Sequence, residues 1–297
     1  MQKRILVTGA NGLLGQKLCG LLNEFAHNDI RFMATAHTPN GNQVQLDITN
    51  QTQVNTVLSE FNPTHIINAA AYTQVDLAED EQEKCYAVNV TGVQNLVDAI
   101  EQHKLNSKLI HISTDFIFDG KRGGYVETDT PNPVNYYGAS KLEGEAVIKN
   151  SSIDYAILRT MLLYGVVPDK SKSNIVLWLY DKLSNGESVK LVNDQIRNPT
   201  LAEDLAQACW LVIEHDATGI FHTAGKEYMS IYEMGVKIAE FFDFDKNLIQ
   251  PCITSDFQTK AERPLDTHFS NEKANEAFQY SPRSFKRCLE LIQQQLL

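Results

Sequence analysis

Tyr137 and Lys141 are four residues apart, a spacing that stacks two side chains on one face of a helix. A phenol and an ammonium in this arrangement suit the reduction of a ketone. Hydride delivery builds negative charge on the carbonyl oxygen, so a proton donor must lie within hydrogen-bond reach. The pKa of a phenol is ordinarily near ~10, and the charge of Lys141 is expected to lower it. Tyr136 is the weaker candidate, since Ser140 stands four residues after it.

A glycine loop near the start of the chain supplies a second feature with a chemical use. Its Gly-x-x-Gly-x-x-Gly spacing follows an apolar run and precedes a helix with leucines on one face. Without a Cβ the backbone can approach a pyrophosphate, whose charge then meets the amides at the start of the helix. A tight turn without a ligand is the alternative, but this context favours dinucleotide binding. The predicted contacts are Gly9, Asn11, Gly12, Leu13, Leu14 and Gly15.

The segment after the second apolar run bears on the type of dinucleotide. Residues 34–38 lack an acid that would hold the ribose hydroxyls of NAD, and His37 lies there instead. We therefore expect NADPH, with His37 beside its 2′-phosphate and NADH as the alternative cofactor. A histidine at a strand end is also often an ordinary surface residue.

Alternating strands and helices must position these residues. Apolar runs occur at residues 5–8, 31–36, 65–69, 109–112 and 155–158. Helical faces lie between them at 51–61 and 88–100. This alternation predicts an α/β fold, a Rossmann-type doubly wound parallel sheet with a smaller C-terminal substrate domain.

The second half of the chain has a looser pattern. It predicts helices at 174–183, 201–214, 231–242 and 285–296 and a strand at 220–224. We assign residues 1–165 to the dinucleotide domain, with 187–224 returning to it, and residues 166–186 and 225–297 to the substrate domain. Trp178, Trp210, Phe241 and Phe242 are expected in the core.

Composition excludes several classes of protein. The 297 residues are 43% hydrophobic and 21% charged, as in ordinary globular proteins. A net charge of -11 without a basic block disfavours a nucleic-acid partner. Five scattered cysteines without a Cys-x-x-Cys pair favour a reducing compartment and predict no metal site. No stretch approaches the ~20 apolar residues of a membrane span, and the short apolar N-terminal stretch does not suit a signal peptide, so the expected location is the cytoplasm.

Motifs along the whole chain resemble the dTDP-4-dehydrorhamnose reductase family of extended short-chain dehydrogenases. The Gly-x-x-Gly-x-x-Gly spacing resembles the cofactor loop of this superfamily. Its catalytic residues are resembled by Ser113-Thr114 followed by Tyr137 and Lys141, which come after the glycine loop in the same order. The motifs that resemble the family are residues 68–73, 75–76, 113–120, 158–160, 164–165, 194–195, 198–200 and 262–264. The resemblance implies NAD(P)H-dependent reduction of the 4-keto group of a nucleotide-activated 6-deoxy sugar, the last step toward activated L-rhamnose.

The resemblance also implies roles around the cofactor. Thr114 would donate a hydrogen bond to the substrate carbonyl, with Ser113 as the alternative, and Lys141 would also hold the nicotinamide ribose. Asp47 resembles the family residue that contacts adenine, although it is equally well explained as a helix N-cap. Further cofactor contacts implied are Ile48, Ala69, Ala70 and Ala71.

Substrate contacts follow from the same resemblance. Thr73, Val75 and Asp76 would line the sugar pocket of a nucleotide-sugar substrate. Arg263 would bind the diphosphate, unless it forms a surface ion pair with a neighbouring acid. We expect a monomer or a homodimer.

Two departures from the family pattern concern the sugar pocket. Phe116 replaces a tyrosine, and Leu162 lies where a tryptophan is expected. The same family contains a non-catalytic branch, the NADP-binding regulatory β subunit of methionine adenosyltransferase. Residues 163–165 and 232–234 also resemble that branch, which is the alternative function.

Overall fold

The computed structural model describes residues 2–25, 29–167 and 174–296. Its strands are β1 (Lys3–Thr8), β2 (Ile30–Ala36), β3 (Val44–Gln45), β4 (His65–Asn68), β5 (Lys108–Thr114), β6 (Asp154–Thr160), β7 (Leu163–Tyr164), β8 (Val189–Val192), β9 (Ile196–Arg197), β10 (Thr200–Leu201), β11 (Gly219–His222), β12 (Met229–Ser230) and β13 (Ile249–Cys252). Its α-helices are α1 (Leu13–Glu24), α2 (Gln51–Phe61), α3 (Val75–Asp80), α4 (Gln82–Tyr86), α5 (Gly92–Gln102), α6 (Tyr136–Lys149), α7 (Ile175–Ser184), α8 (Ala202–Glu214), α9 (Ile231–Phe242), α10 (Glu272–Phe278) and α11 (Phe285–Leu296).

The central sheet confirms the predicted fold class. Its strands lie in the order β11-β6-β5-β4-β1-β2-β3, and all neighbours run parallel. Apolar residues cover both of its faces, as the helical layers of a doubly wound sheet require. From β1 the chain adds β2 and β3 on one side of the sheet, and from β4 it adds the remaining strands on the other side. In doubly wound sheets the carboxyl ends of the strands at such a switch point border a ligand crevice. The prediction missed β3, whose two residues are both exposed.

A separate C-terminal core lies beyond the sheet, built from α7, α9 and α11 with the parallel pair β8 and β13. Because β8 pairs with β13, Val189–Val192 lies with this core. The prediction had assigned residues 187–224 to the dinucleotide domain. Conversely, α10 packs on the core of the main sheet. The division into two domains stays a prediction, and its segment 166–186 lies partly outside the described residues.

The expected core aromatics have different environments. Trp210 is buried and stacks on Phe25, and Phe241 and Phe242 pack against the C-terminal core. Trp178 is 39% exposed, so its prediction is wrong, because the buried face of α7 is formed by other side chains. In the part of the chain that the structure describes, no helix is long and apolar enough to cross a membrane.

Candidate active site

The loop between β1 and α1 packs against the end of β4. Gly9 has φ +67°, and a Cβ there would lie 2.9 Å from the carbonyl oxygen of Ala69. A Cβ on Gly15 would overlap the carbonyl oxygen of Gly9. Gly12 is the N-cap of α1, and no side chain caps the helix, so its positive end is open to an anion.

Two leucines of the same loop differ in their side-chain positions. Leu14 is buried in the core of the main sheet, so this residue offers only its backbone to a ligand. Leu13 is half-buried near Gly165, at the junction with the C-terminal half of the chain. The loop therefore presents backbone amides rather than charged side chains.

The outer end of the crevice contains Asn11, His37 and Asp47. Asn11 donates from Nδ2 to the carbonyl oxygen of Thr38 at 2.6 Å, which ties the glycine loop to the end of β2. The exposed His37 lies with Nε2 3.6 Å from Asp47 Oδ2. The structure thus brings the predicted 2′-phosphate and adenine contacts together at one edge.

Asp47 and Ile48 connect β3 to α2. Asp47 Oδ1 accepts a hydrogen bond from the backbone amide of Thr49 at 2.9 Å. The N-cap of α2 is Asn50, so the N-cap explanation for Asp47 is wrong. Ile48 is buried, and its carbonyl oxygen accepts from Asn95 Nδ2 at 2.8 Å.

Ala69, Ala70 and Ala71 continue from β4 and are half-buried opposite Gly9. The Ala70 amide donates to Thr8 Oγ1 at 3.3 Å. Small side chains here leave the carboxyl end of β4 open beside the glycine loop.

Thr114 and Tyr137 meet at the carboxyl end of β5. Asn135 caps α6 by accepting from the Gly138 amide at 2.8 Å, which fixes Tyr137 in the first turn. A Cβ on Gly138 would overlap the carbonyl oxygen of Phe116, so glycine allows the close approach of helix and strand end. Burial raises the pKa of Tyr137 well above its usual value, and the nearby Thr114 hydroxyl opposes this only in part. The phenol is therefore protonated at neutral pH.

Lys141 lies one turn further along α6 and is also buried. Its Nζ donates to the carbonyl oxygen of Ile112 at 2.7 Å and lies 3.1 Å from His111 Nε2. Burial lowers the pKa of Lys141 to about 8, against the charge of Glu145. The expectation that this lysine brings the pKa of Tyr137 below its usual value is wrong, because burial of the phenol raises that pKa.

Ser113 lies on the other side of β5 from Thr114, since successive residues of a strand alternate. Its hydroxyl donates to Glu145 Oε1 at 2.6 Å. Glu145 also accepts two hydrogen bonds from Arg159, at 2.9 and 2.7 Å, and both residues are buried. Ser113 is thus held inside the protein, and this excludes it as the alternative to Thr114.

Two of the predicted substrate residues lie beside Tyr137. Val75 and Phe116 pack against the cluster that contains Tyr137, and Thr73 is exposed. Asp76 accepts from Arg263 through both oxygens, at 2.7 and 2.6 Å. These bonds lower the pKa of Asp76 to about 2. The guanidinium predicted for a diphosphate is therefore paired with a predicted sugar contact.

Leu162 lies outside this group. It packs against the C-terminal core and has φ +42°, in the left-handed region that a branched side chain rarely adopts. The chain thus turns sharply between β6 and β7 at the position where the family has a tryptophan.

Two buried polar residues near the site were missed by the sequence reasoning. Asn89 donates to Ser140 Oγ at 3.0 Å, and its Oδ1 accepts from the Tyr72 amide at 2.9 Å. It thereby joins the segment that precedes α3 to α6. It lies in a π-helical turn, Ala87–Thr91, where an uninterrupted helix was predicted, and such turns are frequent at functional sites. The second is His111. A polar residue within an otherwise apolar run was the available signal for both.

Comparisons with known proteins identify the family and the fold. The family model described as "RmlD substrate binding domain" matches residues 3–297. The dTDP-4-dehydrorhamnose reductase of Aggregatibacter actinomycetemcomitans is 35% identical over 97% of this chain and 98% of that protein. A Bacillus anthracis dTDP-4-dehydrorhamnose reductase, solved in complex with NADP, superposes with a TM-score of 0.88 at 34% identity, covering 99% of both chains.

The alternative branch is also represented. Methionine adenosyltransferase 2 subunit beta of Danio rerio is 34% identical over 88% of this chain and 81% of that protein. The family match, however, covers nearly the whole chain, and similarity to the reductases extends over both the sequence and the fold. The chain therefore belongs to the dTDP-4-dehydrorhamnose reductase family.

Proposed function

We propose that this protein uses NADPH to reduce the 4-keto group of a nucleotide-activated 6-deoxy sugar, with dTDP-4-dehydrorhamnose as the substrate. The observation that carries the proposal is the proximity of the Tyr137 phenol and the Thr114 hydroxyl, both buried near Lys141 at the carboxyl end of β5. We infer the identity of the substrate from the similar proteins, which are named dTDP-4-dehydrorhamnose reductases.

The crevice fits a dinucleotide. Gly9 and Gly15 form a cradle without room for side chains, and α1 has uncapped amides for a diphosphate. NADPH, when bound, supplies the hydride. Residues 9–15 would hold its diphosphate, and the three alanines at 69–71 would lie beside it. Asp47 and Ile48 would contact the adenosine, His37 the 2′-phosphate, and Lys141 the nicotinamide ribose.

Tyr137 gives its proton to the carbonyl oxygen of the sugar as negative charge develops there. Reduction needs the protonated phenol, and burial keeps Tyr137 in that form at neutral pH. Thr114 donates a second hydrogen bond to the same oxygen. Its hydroxyl donates to Asp115 Oδ1 at 3.1 Å, and the carbonyl oxygen of the sugar would take the place of this acceptor.

The substrate lies between Tyr137 and the segment formed by Thr73 and the first residues of α3, Val75 and Asp76. Phe116 offers an aromatic ring without a hydroxyl, so its contact with the sugar is apolar. Arg263 binds the diphosphate after exchanging its partner, because a guanidinium can pair with two phosphate oxygens as it does with the two oxygens of Asp76.

The second candidate is a regulatory NADP-binding subunit, favoured by the similarity to methionine adenosyltransferase 2 subunit beta. The reductase has the stronger support, because a reductase matches over a larger share of both chains. Our proposal includes a cytoplasmic monomer or homodimer. It includes no metal, and the described ranges contain no group of three His, Cys, Asp or Glu residues placed to hold one.

The test is the oxidation of NADPH by the purified chain with a dTDP-4-keto-6-deoxyhexose, followed by absorbance. We expect one NADPH consumed per sugar reduced, with slower turnover when NADH replaces it. Failure to oxidise either cofactor with any nucleotide keto-sugar, together with tight binding to a methionine adenosyltransferase catalytic subunit, would favour the regulatory function instead.

A further inference from the structure

His111 is fully buried on β5 and has no part in the reaction proposed above. Its Nε2 lies 3.1 Å from Lys141 Nζ, and its Nδ1 lies 3.1 Å from the Asn68 carboxamide. Both ring nitrogens of a buried imidazole therefore face polar partners, and one of these is the lysine of the site.

The donors and acceptors among Lys141, His111 and Asn68 can be assigned from the chemistry of these side chains. An ammonium has only donors, so Nε2 of His111 must accept from Lys141. The ring hydrogen is then on Nδ1. The structure places Asn68 Nδ2 at this ring nitrogen and Oδ1 at Thr8, so the carboxamide must be turned by 180° for its oxygen to accept from Nδ1. Burial and the charge of Lys141 lower the pKa of His111 well below its usual value, which keeps the ring neutral and able to accept.

Asn68 extends this cluster to the glycine loop. The other end of its carboxamide lies 2.6 Å from Thr8 Oγ1, and this oxygen accepts from the Ala70 amide at 3.3 Å. Thr8 directly precedes Gly9. A continuous series of hydrogen bonds thus joins Lys141 to the loop proposed for the diphosphate.

We propose that His111 is a positioning residue, which holds the Lys141 ammonium toward the nicotinamide ribose and keeps it charged by accepting a hydrogen bond at Nε2. The ribose contact rests on the proposed function. The hydrogen bond between Lys141 and His111 can be tested without turnover.

Few titratable groups act on this pair. Burial lowers the pKa of Lys141, and the charge of Glu145 of α6 opposes this. Cys85 of α4 also faces Lys141, but burial raises the pKa of its thiol, which therefore stays neutral where Lys141 titrates. Lys141 is the charge that acts on His111. Removing the acceptor at Nε2 must therefore lower the pKa of Lys141 further. We expect a shift of about one pH unit, the scale of one hydrogen bond to a charged group.

Three variants of His111 separate the hydrogen bond from packing. His111→Leu removes both polar atoms, and His111→Asn keeps a polar group near Nδ1 but does not reach Lys141. His111→Gln places an amide oxygen near the position of Nε2. His222→Leu is the matched control, since His222 is also fully buried with a strongly lowered pKa but contacts Tyr125 instead.

The measurement is the pH titration of the Lys141 Cε signal in protein labelled with ¹³C-lysine, identified by its loss in Lys141→Met. We expect a midpoint of about 8 in the unmodified protein, His111→Gln and His222→Leu, and a midpoint roughly one unit lower in His111→Leu and His111→Asn. A common midpoint in all five proteins would overturn the proposal.

Turnover provides a separate readout. The alkaline limb of kcat against pH should move with the same variants, because the ammonium is lost as pH rises. An inactive unmodified protein would count against the proposed function, whereas the Lys141 titration would still decide the role of His111.

Discussion

Arg263 and Asp76 are joined by two hydrogen bonds, of 2.7 and 2.6 Å, although 187 residues separate them in the sequence. Asp76 also accepts from the Ala261 amide at 3.1 Å. The segment around Arg263 is thereby fastened to the start of α3. If Arg263 binds the substrate diphosphate as proposed, the phosphate oxygens would compete with Asp76 for this guanidinium.

The Arg263→Gln variant tests the diphosphate contact. We expect KM for the nucleotide sugar to rise by about tenfold or more with kcat little changed, because bonds to charged groups contribute ~1.5–3 kcal/mol each. Steady-state kinetics measure this. Arg287→Gln, which breaks an exposed pair with Glu290, is the control and should keep the KM of the unmodified protein. Equal KM values in both variants would exclude Arg263 as a ligand.

The stability contributed by Asp76 should depend on pH. Its pKa in the folded protein is lowered to about 2, below the ~3.9 of an unfolded aspartate. The ionised form is therefore stabilising above pH 4, and this contribution is lost as pH falls toward about 2. Urea midpoints of the unmodified protein and Asp76→Asn should differ at pH 6 and converge near pH 2. A gap that stays constant across this range would contradict the ion pair.

Cofactor preference should respond to the charge at the end of β2. His37→Asp places an acid where the ribose hydroxyls of NAD would lie and repels a 2′-phosphate. We expect the ratio of kcat/KM for NADPH over NADH to fall by about tenfold or more. His215→Asp makes the same substitution at an exposed position after α8 and should leave the ratio unchanged. An unaltered ratio in His37→Asp would show that the 2′-phosphate of NADPH does not bind beside His37.

Gly138 should be sensitive to a single methyl group. In Gly138→Ala the new Cβ overlaps the carbonyl oxygen of Phe116, so α6 must shift, at a cost of about 1–3 kcal/mol. Gly20→Ala, on the exposed face of α1 with open space around it, should instead stabilise by up to ~1 kcal/mol. Thermal unfolding compares them. A melting temperature for Gly138→Ala at or above that of the unmodified protein would show that the helix approach is not tight.

Local patterns in the sequence predicted the main sheet and the site residues that lie together on one helix. Apolar runs identified five strands of the main sheet, and the spacing of Tyr137 and Lys141 placed both on α6. These features depend on neighbours within a few residues. For the same reason the glycine loop was visible before any tertiary contact was known.

Tertiary contacts decided the features that the sequence did not predict. Ser113 and Thr114 are adjacent hydroxyls, and only the packing of α6 on β5 shows that Ser113 faces Glu145. The pKa of Tyr137 depends on burial by distant parts of the chain. His111 meets Lys141 across 30 residues of sequence. Such pairings have no period or spacing along the chain.

The most direct test of the proposed chemistry is kcat for Tyr137→Phe with NADPH and a dTDP-4-keto-6-deoxyhexose. Loss of the proton donor should lower kcat by about 100-fold or more, while NADPH still binds, because the glycine loop is unchanged. Tyr136→Phe, which removes the neighbouring hydroxyl, should stay within a few-fold of the unmodified protein. A Tyr137→Phe variant as fast as the unmodified protein would contradict the account, since the carbonyl oxygen would then obtain its proton from another group.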